Sequence, residues 1–197
     1  MVFIVFLTIF TVSCAPKKDR GLLFWQETPQ ERLFASAEAQ YQAGRYNDAL
    51  LLYQQYLSQF PDTGRAPAAL LKIGMTRVYL EQYEDALRVF SRVRKVYPRT
   101  LYAREADVGR LAVFYKTGAY EKVTVYAGNV LDQALSGEQR LRVNLIAGDS
   151  YMALKSPRDA YHSYVSAFRA ADGEEKRKAV SRLKTALAMM DPDGIAE

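Results

Sequence analysis

Apolar side chains recur along this chain at helical intervals. Tyr46, Ala49, Leu50, Tyr53, Tyr56, Leu57 and Phe60 follow one another at steps of 3, 1, 3, 3, 1 and 3. A 3.6-residue period puts all of them on one face of a helix. The face returns as Tyr83, Ala86, Leu87, Phe90, Val93 and Tyr97, a shift of 37 residues. A third shift of 37 sets Tyr120 under Tyr83, Val123 under Ala86 and Ala127 under Phe90, and a fourth brings Ala160 and Tyr164 into the same columns. Upstream, Ala37, Gly74, Leu111 and Gly148 form another column at this interval. Four copies in one register predict a stacked repeat array, in which each unit buries what its neighbour leaves bare.

Each copy reads as an antiparallel pair of helices. The first helices are predicted near 31–43, 66–80, 101–117 and 137–155, and the second near 46–60, 83–97, 120–134 and 157–171. Pro61 and Pro98 end second helices, because an interior proline removes a hydrogen bond and collides with the preceding turn. Asn47 and Asp48 suit the exposed amides of a helix start. The alanine column is small where the partner helix crosses, and the aromatic four residues on fills the gap between neighbouring pairs. A ninth helix, about 174–190, carries an apolar stripe of Ala179, Val180, Leu183, Leu187 and Met190 opposite Glu174, Lys176, Arg177, Lys178 and Arg182. It is expected to cap the array, with 191–197 as a loose tail.

A small residue, then G-x-Y-x-x-A-x-x-x-Y/F, then proline resembles the tetratricopeptide repeat, whose usual length is about 34 residues. Copies one and two follow the pattern, with Glu81 in place of the glycine in copy two. Copy three has Val123 and Leu135 where alanine and proline are usual, and copy four has Pro157 and Asp172 where tyrosine and proline are usual. The extra length falls in turns such as PDTGRAP, 61–67. Such long repeats are similar to those of Gram-negative envelope lipoproteins, the outer-membrane assembly lipoprotein of BamD type and the cell-wall synthesis coordinator of CpoB type. The resemblance covers residues 31–171 and implies an all-α, right-handed solenoid of four helix pairs plus a capping helix. It further implies a non-enzymatic scaffold in envelope biogenesis that binds envelope proteins or peptides.

In that architecture the first helices line a concave groove. Three columns are candidates to face it: Phe34, Leu71, Val108 and Leu145; Tyr41, Val78, Tyr115 and Met152; and Glu38, Met75, Ala112 and Asp149. The partner groove is therefore placed on Phe34, Tyr41, Leu71, Met75, Val78, Val108, Tyr115 and Met152, a largely apolar channel rimmed by tyrosine hydroxyls. The first column reads in the first place as core between repeats, and Tyr41 and Tyr115 of the second as exposed. The third column lacks the lysine and asparagine of repeat domains that clamp a chaperone's carboxylate terminus, so that ligand is not expected.

Charge adds one feature. The chain is net +5, and residues 88–110 hold seven basic side chains against two acidic ones, which equals the whole excess. Arg88, Arg92 and Lys95 share a helical face, with Arg99 just beyond it. This basic face suits anionic lipid head groups, cell-wall carboxylates or an acidic partner, or is simply a solvated helix back. Nothing in it points to nucleic acid.

The N-terminus carries its own signal. Met1 to Ser13 is uncharged and almost wholly apolar, too short for the ~20 residues of a membrane-spanning helix but suited to an export signal. The chain's only cysteine, Cys14, follows at once and is succeeded by the polar run Pro16–Arg20. This resembles a bacterial lipoprotein signal, with residues 1–13 removed, Cys14 carrying lipid and 14–30 acting as a tether. Thr11 stands where that family usually has leucine. An ordinary cleaved signal or a buried apolar strand are the other readings. Ala15, rather than aspartate, favours by resemblance the periplasmic face of the outer membrane. Leu22 to Trp25 is an apolar cluster within the tether.

Candidate chemistry is sparse. One histidine, His162, and one cysteine fall short of the usual zinc ligand sets, and no nucleophile elbow, phosphate-binding loop or dinucleotide fingerprint occurs. No catalytic residue, metal, cofactor or small-molecule substrate is expected in this segment. Two other roles fit the same features: the N-terminal domain of a longer lipoprotein that activates penicillin-binding proteins, and a pilus or secretion pilotin.

Overall fold

A computed structural model describes residues 27–190, and the expected signal, Cys14, most of the tether with Leu22–Trp25, and the tail lie outside them. The described residues form α1 (Pro29–Gln42), α2 (Tyr46–Gln59), α3 (Ala66–Tyr79), α4 (Tyr83–Val96), α5 (Leu101–Lys116), α6 (Tyr120–Leu131), α7 (Gly137–Ala153), α8 (Pro157–Ala170) and α9 (Gly173–Met190). Each helix packs on the next, and α3 also touches α5 as α5 touches α7. Short turns make the members of each pair antiparallel. The first helices α1, α3, α5 and α7 therefore run side by side in one direction.

Most helix boundaries fall within one residue of the sequence expectation; the start of α1 and the ends of α6 and α7, the last at Ala153 rather than 155, differ by two or three. Helix α1 starts at Pro29 because Thr28 and Glu31 form a reciprocal capping box, with proline at the first helical position. Helix α6 stops at Leu131 rather than near 134. Just beyond it, Gln133 donates to Asp107 at 3.0 Å, and Ser136 with Gln139 opens α7 by a second capping box.

The turn inside each pair is one structure used four times. Gly44, Glu81, Gly118 and Lys155, spaced by 37 residues, all adopt positive φ of 57–73°. In each copy the next amide reaches back across the turn to close it, at 2.9 Å from Arg45 to Gln40, Gln82 to Arg77, Ala119 to Phe114 and Ser156 to Tyr151. This is the left-handed helix ending that glycine favours. Glu81 and Lys155 adopt it despite the Cβ penalty.

The core follows the repeat columns. Ala49, Ala86, Val123 and Ala160 are fully buried at the crossing of each pair. The ring of Phe90 lies between α3 and α5, where a Cβ on Gly74 or Gly109 would come within 2.5 or 2.6 Å of it. Tyr164 sits against Gly148 in the same way, at 2.4 Å. In copy three the sizes invert: Ala127 is the small partner, and Leu111 and Ile146 of the same cluster are the large ones.

The two ends differ from the interior. Arg32, Ser36 and Ala39 of α1 are exposed, whereas their counterparts in α3, Ala69, Ile73 and Thr76, are buried against α2. At the other end α9 lies on α8, but with a rotated face. Ala179, Leu183 and Ala186 turn inward together with Arg182, while Leu187 and Met190 remain 40% and 38% exposed. The expected stripe thus corrects to residues 179, 182, 183 and 186, since α8 offers Tyr164 and α7 offers Asp149 to this face.

Left-handed backbone costs a non-glycine residue ~1–2 kcal/mol. Glu81→Gly should therefore stabilise the fold by about 0.5–1 kcal/mol, and Gly118→Ala should destabilise it by about 1 kcal/mol. Urea denaturation followed by circular dichroism checks both.

Candidate functional site

The first helices, closed at one end by α9, line a hollow of about 440 Å³. Its middle is apolar: Met75 and Val78 from α3, Val108 and Ala112 from α5, and Leu145 and Ile146 from α7. They come together because residues three and four apart on one helix share a face, and the repeat sets three such faces in parallel.

Charged groups frame this floor. At one end Lys72 pairs with Glu38 at 2.9 Å and lies 4.5 Å above the ring of Tyr41. At the other, Arg182 of α9 donates to Asp149 of α7 through Nε at 2.9 Å and Nη2 at 3.3 Å. Between them Arg142 donates to both carboxylate oxygens of Glu105, at 2.8 and 2.9 Å, across the α5–α7 boundary. Lys116 also lines the hollow, exposed and without an ion pair among the described residues. Beside Tyr41, Tyr46 and Tyr79 stack at 4.5 Å and form an aromatic lip, with Tyr41 edge-on to both at 5.7 Å.

The floor is tied to the core by hydroxyls. Tyr53 donates to Glu38, and Tyr164 donates to Asp149 at 2.7 Å. Where the groove residue is Met75 the core residue is Phe90, and where it is Ala112 the core residue is Ala127. In this column a buried hydroxyl thus appears only where the groove supplies an acceptor, as the cost of an unpaired polar group requires.

The expected site residues divide among these environments. Tyr41, Met75, Val78 and Val108 line the hollow. Phe34 is buried edge-on to Tyr53 and Tyr56, beneath the guanidinium of Arg65, and Leu71 is buried in the α3–α5 cluster. Tyr115 is half-buried beside Tyr120. Met152 packs under α9 in the cluster of Ala160, Tyr164 and Ala186. On the outer side Arg88 is 71% exposed and paired with Asp85, which also accepts from Arg77 at 2.5 Å. Arg92, Lys95 and Arg99 are exposed with no ion pair among the described residues.

Part of the basic window is internal. Asp107 is only 1% exposed, accepts from Tyr126 at 2.5 Å and Gln133 at 3.0 Å, and pairs with Arg94 at 3.1 Å. Arg110 covers the Tyr126 ring at 4.7 Å and donates to its hydroxyl at 2.7 Å. This network fastens α4, α5 and α6 on the side away from the hollow. A buried carboxylate needs such partners, and removing one would strand a charge.

Sequence reasoning missed Tyr79, Lys116, Arg142 and Arg182. One signal existed for Arg142: it lies 37 residues after Glu105, and opposite charges in adjacent rungs of one column face each other. Arg182 had none, since the register of α9 departs from the repeat interval. Among the described residues no cluster of three or more His, Cys, Asp and Glu is arranged to hold a metal ion. No described helix is long and apolar enough to cross a membrane.

Comparison with known proteins agrees with this architecture. Residues 33–63 and 68–100 match the tetratricopeptide repeat family; they are copies one and two, where the motif positions are best filled. No curated protein matches the chain. Among solved structures, MamA from Desulfovibrio magneticus RS-1 superposes with a TM-score of 0.58 at 15% identity, over 86% of this chain and 99% of that one. A tetratricopeptide repeat protein from Parabacteroides merdae gives 0.62 at 13%, over 82% of this chain and 61% of its own. The tetratricopeptide domain of P58(IPK) gives 0.53 at 15%, over 86% and 49%. The fold is an all-α, tetratricopeptide-like solenoid.

Burial, then the hydrogen bond to a carboxylate, raises the phenol pKa of Tyr53, Tyr126 and Tyr164 above the ordinary value. The folded state therefore holds these protons more tightly than the unfolded chain does. The linked stability is whole below pH ~10, the unfolded value, and is lost as pH climbs through the raised values. In an alkaline titration, part of the tyrosinate absorbance should appear only together with loss of helical circular dichroism. Complete tyrosine ionisation near the ordinary value with helicity intact would contradict this.

Proposed function

We propose that this chain is a non-enzymatic adaptor that holds a segment of a partner protein in the hollow lined by α1, α3, α5, α7 and α9. The observation that carries the reading is the apolar strip from Val78 to Leu145 lying between fixed ion pairs. Apolar side chains of a partner helix or extended peptide gain by burial there, at ~25 cal/mol per Å². Apart from Lys116, the framing charges are already paired, so they orient a partner without leaving an unpaired charge behind. Stacked helices keep the surface preformed, which lowers the ordering cost of association. Repeat-protein solenoids of this family lend themselves to such use.

The finer reading places this adaptor in envelope biogenesis, in outer-membrane protein assembly or coordination of peptidoglycan synthesis. Its anchor would be lipid on Cys14 at the periplasmic face of the outer membrane. Support comes from the uncharged stretch before Cys14 and from the lipoprotein resemblance. One acyl chain binds only marginally, so stable anchoring calls for two or more.

Both parts are testable. A photo-crosslinker at Tyr41 or Lys116 should capture a defined protein in membranes, and Ala112→Glu should abolish capture while leaving helicity unchanged; a crosslinker at Arg92 is the outer-face control. Capture from Arg92 alone would move the site out of the hollow. Incorporation of a palmitate probe should be lost in Cys14→Ser, and a natural chain that takes up no probe would argue against the lipid.

A further inference from the structure

The turns between pairs all lie along one edge of the stack, because every first helix starts there and every second helix ends there. Thr28, which opens α1, lies on this edge too. Its four stations differ sharply in charge. Residues 55–67 balance Asp62 with Arg65; 129–141 hold Asp132 and Glu138 against Arg140; and 166–178 set four basic side chains against three acidic ones. Only the α4–α5 corner is basic without acids: residues 92–104 contain Arg92, Arg94, Lys95, Arg99 and Arg104 and no acid. Arg94 is engaged by Asp107, but the other four make no ion pair among the described residues.

Apolar side chains project at the same corner. Val96, the last residue of α4, is 51% exposed, and Leu101, the first of α5, is 53% exposed. They flank the four-residue turn 97–100. Leu51 and Val125 are more exposed, at 65% and 73%, so what marks Val96 and Leu101 is their place among unpaired cations. An acidic protein surface would use the charges and is separated by the test below. A lipid surface uses both: phosphates meet the cations, and the aliphatic groups enter the acyl boundary.

We propose that the α4–α5 corner of this protein is a docking point for an anionic phospholipid surface, with Arg92, Lys95, Arg99 and Arg104 on head groups and Val96 and Leu101 in the interface. The contact is local and does not require lipid on Cys14. It is compatible with that anchor, since the fourteen residue steps from Cys14 to Thr28 reach at most about 50 Å. It leaves the concave hollow, lined from the other side of the first helices, open to a partner.

Cys14 is the only cysteine, so Cys14→Ser with Leu101→Cys gives the full chain one thiol at the corner. An environment-sensitive fluorophore there should shift to the blue on vesicles of two parts phosphatidylcholine to one part phosphatidylglycerol, and not on phosphatidylcholine alone. Salt at about 0.5 M, where screening acts within a few Å, should reverse the shift. Arg92→Glu, Lys95→Glu and Arg99→Glu together should weaken vesicle affinity at least tenfold with unchanged helicity. A label at Val125→Cys, 73% exposed on α6, should stay unresponsive in the same background. An equal shift on neutral vesicles, or one insensitive to both salt and charge reversal, overturns the proposal. So does a shift produced by polyglutamate and not by vesicles, which would make the corner an acidic-protein site. Because no lipid is present on the serine variant, failure here is separate from failure of the Cys14 anchor or of groove binding.

Discussion

One side chain from each second helix must fit where its own first helix meets the next, and that volume constraint spaces the stack. Phe90 shows the limit case. Gly74 and Gly109 approach its ring from two helices so closely that neither has room for a methyl group. Interiors packed to crystal-like density tolerate such contacts only when the opposing surfaces match. The match is kept through exchange: glycines surround an aromatic ring in copy two, while leucine and isoleucine surround an alanine in copy three. The parallel array of first helices, and hence the hollow on them, rests on this fit.

The same junctions set the chemistry of the hollow. A core hydroxyl in copies one and four calls for a carboxylate on the groove side, and Glu38 and Asp149 supply it. Each carboxylate then recruits a cation from a neighbouring helix, Lys72 or Arg182. Copies two and three have no core hydroxyl at this junction and present Met75 and Ala112 instead. An apolar centre between charged ends is therefore a surface expression of which core residues bear an oxygen. Changing groove specificity in the end copies would require changing the core beneath it.

Much of this was legible in the sequence because it is periodic. Helix spans, antiparallel pairing and the buried alanine and aromatic columns follow from the 37-residue interval and one face per helix. The left-handed turn was legible at Gly44 and Gly118 and hidden at Glu81 and Lys155, where the closing backbone bonds enforce what composition opposes. Groove membership was only partly legible. Columns of equal spacing hold residues whose depth varies with their neighbours, so Leu71 is core, Val108 lines the hollow, and Met152 is covered by α9. Arg182 and the Asp107 network depend on contacts between helices out of the repeat register, and spacing carries no trace of those.

The central claim is that steric complementarity at these junctions holds neighbouring pairs together. A double-mutant cycle in copy three tests it by rebuilding the copy-four arrangement, a ring against one glycine, with Leu111→Gly and Ala127→Phe made singly and together. Each single change should destabilise, by several kcal/mol for the cavity and about 1–3 kcal/mol for the overpacked ring. The account predicts that the double variant unfolds at clearly higher urea than the sum of the single effects allows, a coupling of about 2 kcal/mol. Additive losses, agreeing within about 0.5 kcal/mol, would contradict it.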